Sequence, residues 1–287
     1  MANSNINDLT TWSRVISPHR GVWDLRLGQL WRYRDLILVF VHRNFVATYK
    51  QTILGPLWFF LQPFFTTVVF TLVFSKIAGV STDEVPPFLF YLAGVVVWNY
   101  FQECLVKTSA TFTQNANLFG KVYFPRLTVP LSIVVTNILT FAIQFIFFLG
   151  FFCYFLWQHA PIEPSWRIAV LPLLLVQMAA LGLGVGCIVS ALTTKYQDLQ
   201  MLVGFGVQLW MYASCVAYPL SAIPAKWRWA FICNPMVPIV EGFRFAFLGQ
   251  GIVEMWHLVV GAGISTVIFI IGILLFNHVE KSFTDTV

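Results

Sequence analysis

Residues 128–157 contain no Asp, Glu, Lys, Arg or His. A helix needs about 20 apolar residues to cross the hydrocarbon core of a bilayer. This run therefore spans a membrane with length left over to tilt or to project past it. Five more stretches, 53–75, 87–106, 167–192, 199–219 and 255–277, have the same apolar character. Charged residues make up 10% of the chain, against about 25% in soluble proteins, too few to cover a water-facing surface. The pattern predicts an all-α polytopic membrane protein with six transmembrane helices and both termini on one side.

Lys and Arg decide which side, because they accumulate in cytoplasmic loops. With the N-terminus inside, Arg14, Arg20, Arg26, Arg32, Arg34, Arg43, Lys50, Lys107, Lys121, Arg126, Lys195 and Lys281 fall inside. Lys76, Arg167, Lys226, Arg228 and Arg244 fall outside. Both termini are accordingly expected in the cytoplasm. The formal charge of +5 reflects that inward bias, and no nucleic-acid partner is expected. The basic first fifty residues lack an early apolar region, which argues against a cleavable signal peptide. The expected organisation is a cytoplasmic arm (1–29), an interface helix (30–47), a transmembrane domain (53–277) and a cytoplasmic tail (278–287).

Two segments are neither plain span nor plain loop. In 30–47, "LWRYRDLILVFVHRNFVA", a helical projection places Arg32, Asp35, His42 and Arg43 on one arc. Leu30, Tyr33, Ile37, Phe40, Val41 and Phe45 fall on the other, with Arg34 and Asn44 as slight exceptions. Such a helix lies in the membrane interface, as a lipid anchor or as a receiver for a partner. In 220–253, Pro224, Pro235 and Pro238 interrupt helices. Lys226, Arg228, Glu241 and Arg244 are too many charges for a simple span, and Trp227, Trp229, Phe231, Phe243, Phe245 and Phe247 are too apolar for a free loop. Two short outward re-entrant helices before the last span satisfy both facts, since irregular backbone at membrane depth is tolerated where protein covers it.

The search for chemistry excludes more than it finds. No G-x-x-x-x-G-K-[ST] loop is present to cradle nucleotide phosphates. "GLGVG", 182–186, lies inside an apolar run, where Gly182 and Gly186 form a small-residue face for close helix packing. The five histidines share no metal-ligand spacing, and the five cysteines are scattered as small packing residues. Asp83 and Glu84 read as a solvated turn before Pro86-Pro87. Glu103 and Lys107 have the i,i+4 spacing of a helix pair. Intramembrane carboxylates and histidines suited to a proton relay are scarce, so uphill transport would draw its energy from another subunit. Aromatic surface is abundant, with 29 Phe, 11 Trp and 9 Tyr. Several rings share helices with amides: Trp58 and Phe59 with Gln62, Trp98 and Tyr100 with Asn99 and Gln102, Phe141 and Phe145 with Gln144. Apolar platforms with sparse hydrogen-bonding groups suit passage of a sugar polymer. Between two spans, "NANLFGKVYFPRLTVP" (115–130) is aromatic, basic and ends in Pro, unlike a bare connector.

"YRDL" (33–36), "YKQTILGPLW" (49–58), "QP" (62–63), the 115–130 segment, "NPM" (234–236), "EGFR" (241–244) and "FTD" (283–285) together resemble the membrane subunit of ABC-2 type polysaccharide exporters, which carry O-antigen, capsular polysaccharide or teichoic acid. The match runs from about residue 28 to the end. The resemblance implies a bacterial inner-membrane homodimer working with two copies of a separate ATP-binding subunit, on which ATP and Mg would reside. It implies a coupling helix at 115–126, with Asn115, Asn117, Phe119, Lys121, Tyr123, Phe124 and Arg126 meeting the ATPase and Pro125 ending the helix. Tyr33, Arg34, Asp35 and Arg43 on the interface helix would be a second contact. Asn234, Pro235, Glu241 and Arg244 would belong to an outward gate. Trp58, Phe59, Gln62, Trp98, Asn99, Tyr100, Phe141 and Gln144 are the candidate lining of a path between two copies. Gln197 and Asn44 depart from the family pattern, where Arg and an acid are expected. The implied substrate is a lipid-linked glycan, with O-antigen preferred, and membrane lipid is the other contact. The chain itself is expected to bind no cofactor or metal and to catalyse nothing. An exporter of a small drug or lipid, and a membrane-embedded glycan-modifying enzyme, remain as alternatives; the latter needs convergent carboxylates or a His at a membrane edge.

Overall fold

The computed structural model describes residues 27–50, 53–119, 121–122, 124–194, 196 and 198–286. Regular structure among them is helical throughout: α1 (Leu27–Arg32), α2 (Arg34–Tyr49), α3 (Trp58–Phe70), α4 (Pro87–Ser109), α5 (Thr111–Phe119), α6 (Thr128–Trp157), α7 (Leu171–Thr193), α8 (Leu199–Tyr212), α9 (Ala225–Ile232), α10 (Met236–Leu248) and α11 (Met255–Thr286). Short 3-10 turns precede α3 and α7, and α3 runs on into a π-helical turn, Thr71–Ile77. Five helical runs are long and apolar enough to cross a bilayer: Gly55–Ile77, Pro87–Ser109, Thr128–Trp157, Trp166–Thr193 and Met255–Val279. The α9–α10 pair, bent by 103° at Cys233–Pro235, qualifies as a sixth only if taken as one broken span.

The expected span over 199–219 is the main departure. Helix α8 stops at Tyr212 after 14 residues, about 21 Å of axis, short of the ~30 Å hydrocarbon thickness. Beyond it the chain leaves helical geometry, with Cys215 at φ 55°. Side chains from α10 and its entry turn donate to the carbonyls of Ala213, Cys215 and Val216, and Pro219 has no N–H with which a continued helix could pair the Cys215 carbonyl.

At the centre stands α4, packed against α7, α6, α3 and α10. Every residue from Leu89 to Trp98 is buried. Helix α7 lies between α4 and α11, and its glycines open both sides. A Cβ on Gly182 would sit 2.8 Å from Cys104 Cβ, and one on Gly186 would sit 2.6 Å from Thr108 Cβ, both on α4. A Cβ on Gly184 would meet Phe269 Cα of α11 at 2.7 Å. Close backbone approach of this kind is how apolar helices gain packing energy where the hydrophobic effect is absent. Pro63 lies inside α3, where it cannot donate to the helical ladder, and Thr67 donates its hydroxyl back to the Pro63 carbonyl at 2.7 Å.

Helix α2 has the expected two-sidedness. Phe40 and Val41 are buried while Asp35, His42 and Arg43 are exposed, as is Arg32 at the end of α1. The expected helix over 30–47 is thus divided at Tyr33, and the apolar Leu38 and Val39 are exposed as well. Arg34 joins the exposed arc, and Asn44 is half-buried on the other. The buried arc packs on α6.

Candidate functional site

The most heavily built polar cluster belongs to α10. Arg244 is 1% exposed. Its Nη1 donates to the Cys215 carbonyl at 2.7 Å and its Nη2 to the Val216 carbonyl at 2.6 Å. One helical turn earlier, Glu241 Oε1 lies 3.3 Å from Arg244 Nη1 and accepts the Leu220 backbone N–H at 3.3 Å. The guanidinium sits 3.7 Å from the centroid of the Phe90 ring on α4. A Cβ on Gly94 would reach to 2.6 Å from Arg244 Nη2, so a residue without a side chain there admits the cation. The planar guanidinium fork suits two adjacent carbonyls, and each unsatisfied carbonyl in an apolar setting would carry a desolvation cost.

Asn234 closes the same end. Its Oδ1 accepts from Trp210 Nε1 of α8 at 3.0 Å and from the Met236 N–H at 3.1 Å. Its Nδ2 donates to the Ala213 carbonyl at 2.9 Å and to Ser214 Oγ at 3.0 Å. Of the four expected gate residues, Asn234, Glu241 and Arg244 thus converge on the segment that follows α8, while Pro235 serves as the cap of α10. Asp83, which reads as part of a solvated turn in sequence, instead accepts from Ser221 Oγ at 2.8 and 3.0 Å. Arg228 reaches the Ile223 carbonyl at 3.0 Å and the Ser221 carbonyl at 3.3 Å. The partners Gly94, Cys215 and Val216 carry no sequence signal, because they take part through backbone or through the space they leave, whereas Phe90 and Ser221 act through a ring and a hydroxyl that no local pattern distinguishes.

At the other end of α4 lies the segment 111–126. The helix here is Thr111–Phe119, so it starts and stops earlier than the expected 115–126, and Pro125 lies beyond its end. Phe119 and Phe124 are buried in the chain's own core with Phe112. Phe124 meets Phe40 of α2 edge-on at 5.7 Å, and Phe119 meets Phe124 at 5.8 Å. Arg126 is also buried, its guanidinium 5.4 Å from the Phe119 ring centroid. Asn115 turns back to the Thr111 carbonyl at 3.0 Å. What faces outward is Thr113, Gln114, Asn117, Lys121 and Val122. Tyr123 and Gln197 lie outside the described residues. On α2, Tyr33 is half-buried at the helix start; Arg34 lies 3.8 Å from Asp35, both exposed. Arg43 covers the Phe40 ring at 4.8 Å and donates to Asn44 Oδ1 at 3.1 Å.

The candidate path residues divide. Trp98, Tyr100, Phe141 and Gln144 are buried within the single chain. Trp98 Nε1 donates to Gln102 Oε1 at 2.8 Å, and Tyr100 packs on Phe141 at 5.4 Å. Asn99 and Phe59 are half-buried, with Phe59 stacked on Phe45 of α2 at 6.0 Å. Trp58 and Gln62 are exposed, on one stripe of α3 with Phe65, Val69 and Leu72. Helix α8 is equally bare: Met201, Leu202, Phe205, Gln208 and Leu209 are all exposed. Glu103 and Lys107 form their pair at 2.7 Å, and Lys107 also donates to Asn137 Oδ1 at 3.3 Å.

The sequence of residues 35–248, which contains nearly all of these elements, matches the family model for the ABC-2 type transporter. The chain belongs to the ABC-2 type transporter family. Curated relatives of this ABC-2 chain include the O-antigen export system permease protein RfbA of Myxococcus xanthus, 27% identical over 90% of this chain and 98% of that protein. An O-antigen export system permease protein RfbA of Klebsiella pneumoniae is 24% identical over 88% of this chain and 94% of its own length. The polysialic acid transport protein KpsM of Escherichia coli is 22% identical over 80% and 87%. The ABC-2 chain is therefore a multi-pass membrane transport subunit.

Proposed function

We propose that the chain is the permease subunit of an ATP-driven exporter that carries a lipid-linked polysaccharide of the O-antigen class out of the cytoplasm. The observation that carries this reading is the near full-length similarity to proteins named as O-antigen export permeases. Two copies of the chain would work with two copies of a separate ATPase that holds ATP and Mg.

The bare α3 and α8 surfaces support the second copy. Gln62 and Gln208 are exposed on otherwise apolar stripes. Amide side chains facing hydrocarbon are costly unless another helix or an aqueous path meets them. Trp58, Gln62 and Phe65 would line the path, whereas Trp98, Tyr100, Phe141 and Gln144 would support it from within the protomer. The lipid moiety would remain in the bilayer while the polymer threads between copies.

Docking of the ATPase is assigned to the exposed groups Asn117, Lys121 and Val122, together with Trp31 of α1 and the outer arc of α2, where Leu38 and Val39 are also exposed. Phe119, Phe124 and Arg126 tie α5 to α2 and α6, so force applied at this surface would reach two helices together. The distribution of Lys and Arg supports a cytoplasmic location for both termini and this surface; the Arg244 cluster would then lie at the outer mouth, with α9–α10 as a re-entrant pair. The deciding experiment is export in cells lacking the gene. Surface polymer should return when the chain and its ATPase are supplied and should fail with either alone. Polymer retained inside while a small amphiphile is exported would overturn the reading in favour of a drug or lipid exporter.

A further inference from the structure

An apolar cavity of about 340 Å³ opens between the turn before α7, the end of α10 and the start of α11. Its walls include Val170, Leu174, Gly242, Phe245, Met255 and Leu258, and two charged residues, Arg167 and Glu254, line it as well. Both are exposed, and among the described residues neither forms an ion pair. The Arg167 guanidinium lies 4.6 Å from the Phe245 ring centroid, a cation–π contact that leaves its N–H edges for an acceptor. Glu254 Oε2 accepts from Trp256 Nε1 at 2.6 Å, which leaves Oε1 for a donor. Trp166 and Trp256 stand exposed beside them, as interface tryptophans do at the level of lipid headgroups.

We propose that this cavity is a binding site for a phospholipid with a zwitterionic, primary-amine headgroup of the phosphoethanolamine type. One acyl chain enters the cavity, the phosphate meets Arg167 and the ammonium meets Glu254. The volume is at the lower end of small-molecule sites, enough for part of a single chain and too small for a sugar polymer. One cation and one anion, unpaired at the same apolar opening, match a zwitterion. A purely anionic isoprenoid phosphate would find one cation and a repelling carboxylate. A choline headgroup carries no N–H to give Glu254. The site is separate from the α3 and α8 face and does not depend on which polymer is exported.

The test is titration of the purified full-length chain with palmitoyl-oleoyl phosphatidylethanolamine, phosphatidylcholine or phosphatidylglycerol, read by native mass spectrometry. The ethanolamine lipid should bind tightest. Arg167→Gln and Glu254→Gln should each weaken it about tenfold, the scale of one charge-assisted hydrogen bond. Glu254→Gln should also turn the preference towards phosphatidylglycerol, and Val170→Trp should block the cavity to all three. Both charged residues are exposed, so these substitutions leave the fold standing. Equal binding of the three lipids by the unaltered chain overturns the proposal. So does a preference for the ethanolamine lipid that survives both charge substitutions.

Discussion

Helix α4 and the helical run Gly55–Ile77 that contains α3 are both membrane-length and both rich in aromatics, yet they live in different environments. From Leu89 to Trp98 α4 shows nothing to its surroundings, while α3 offers Trp58, Gln62, Phe65, Val69 and Leu72. Helix α8 shares the fate of α3. The column α4–α7–α10 is held by direct contacts: Gly182 and Gly186 of α7 against α4, and the fork of Arg244. The α3 and α8 surfaces have only general apolarity and two amides. The difference teaches that in a bilayer apolarity does not separate core from surface, because lipid accepts the same side chains as protein does. Close backbone approach and satisfied polar groups mark the core instead.

The comparison is broken most severely at Arg244. Arg244→Ala should leave Glu241 buried without its partner and two carbonyls without donors, a loss of about 3–5 kcal/mol. The measurement is the fraction of monodisperse protein recovered in detergent. Arg244→Lys should rescue only in part, since an ammonium lacks the fork. Recovery of Arg244→Ala at the unaltered level would show that the cluster is not a structural clamp.

Overpacking comes next. Gly186→Leu should clash with Thr108 and destabilise the fold by about 1–3 kcal/mol or more, read as a lower thermal midpoint. Gly206→Leu on α8 is the matched control, because nothing lies within 4 Å of its Cβ position. The second variant should keep its midpoint as a protomer and lose dimer formation or export. Equal effects on the two midpoints would erase the distinction between column and bare face.

Gln62→Leu should alter stability by less than about 0.5 kcal/mol, the range of substitutions away from packed features, and should reduce polymer export. Gln144→Leu, inside the protomer, should instead act through stability. An export assay beside a thermal melt separates the two. A modest effect is expected at Ser221→Ala, which removes the hydrogen bond to Asp83 at a cost of about 1 kcal/mol; thermal unfolding in detergent measures it.

Much of the fold was legible because membrane thickness acts directly on sequence. Residues 128–157 had to form a long helix, and Pro87 to Ser109 a spanning one. The i,i+4 spacing of Glu103 and Lys107 led directly to their ion pair, since both partners sit on one helix. The Gly182–Gly186 face foretold close packing, though not that Gly184 faces the opposite neighbour. The apolar arc of α2 was readable for the same reason, as helical periodicity is local.

What the sequence hid was mostly non-local. Residues 199–219 are apolar enough, but α8 stops at Tyr212; Pro219 withholds the N–H that a longer helix would offer the Cys215 carbonyl, and Arg244, on another helix, supplies donors to Cys215 and Val216 instead. Phe119 and Phe124 look like docking aromatics in sequence, but Phe124 packs on Phe40 and Phe119 on Phe112 and Phe124 within the protomer core. Asp83 looks solvated until Ser221 arrives beside it.

The sequence by itself determined that this chain is helical, crosses a membrane several times and belongs with ABC-2 transporters. Each of those properties depends on composition, on periodicity within one segment or on motif order. Only the tertiary structure decided which apolar faces are core and which remain bare. It also decided where α8 ends, and that Arg244 and Glu241 act as a buried clamp. Those outcomes depend on which groups from distant segments meet, and in lipid no gradient of hydropathy along the chain records that choice.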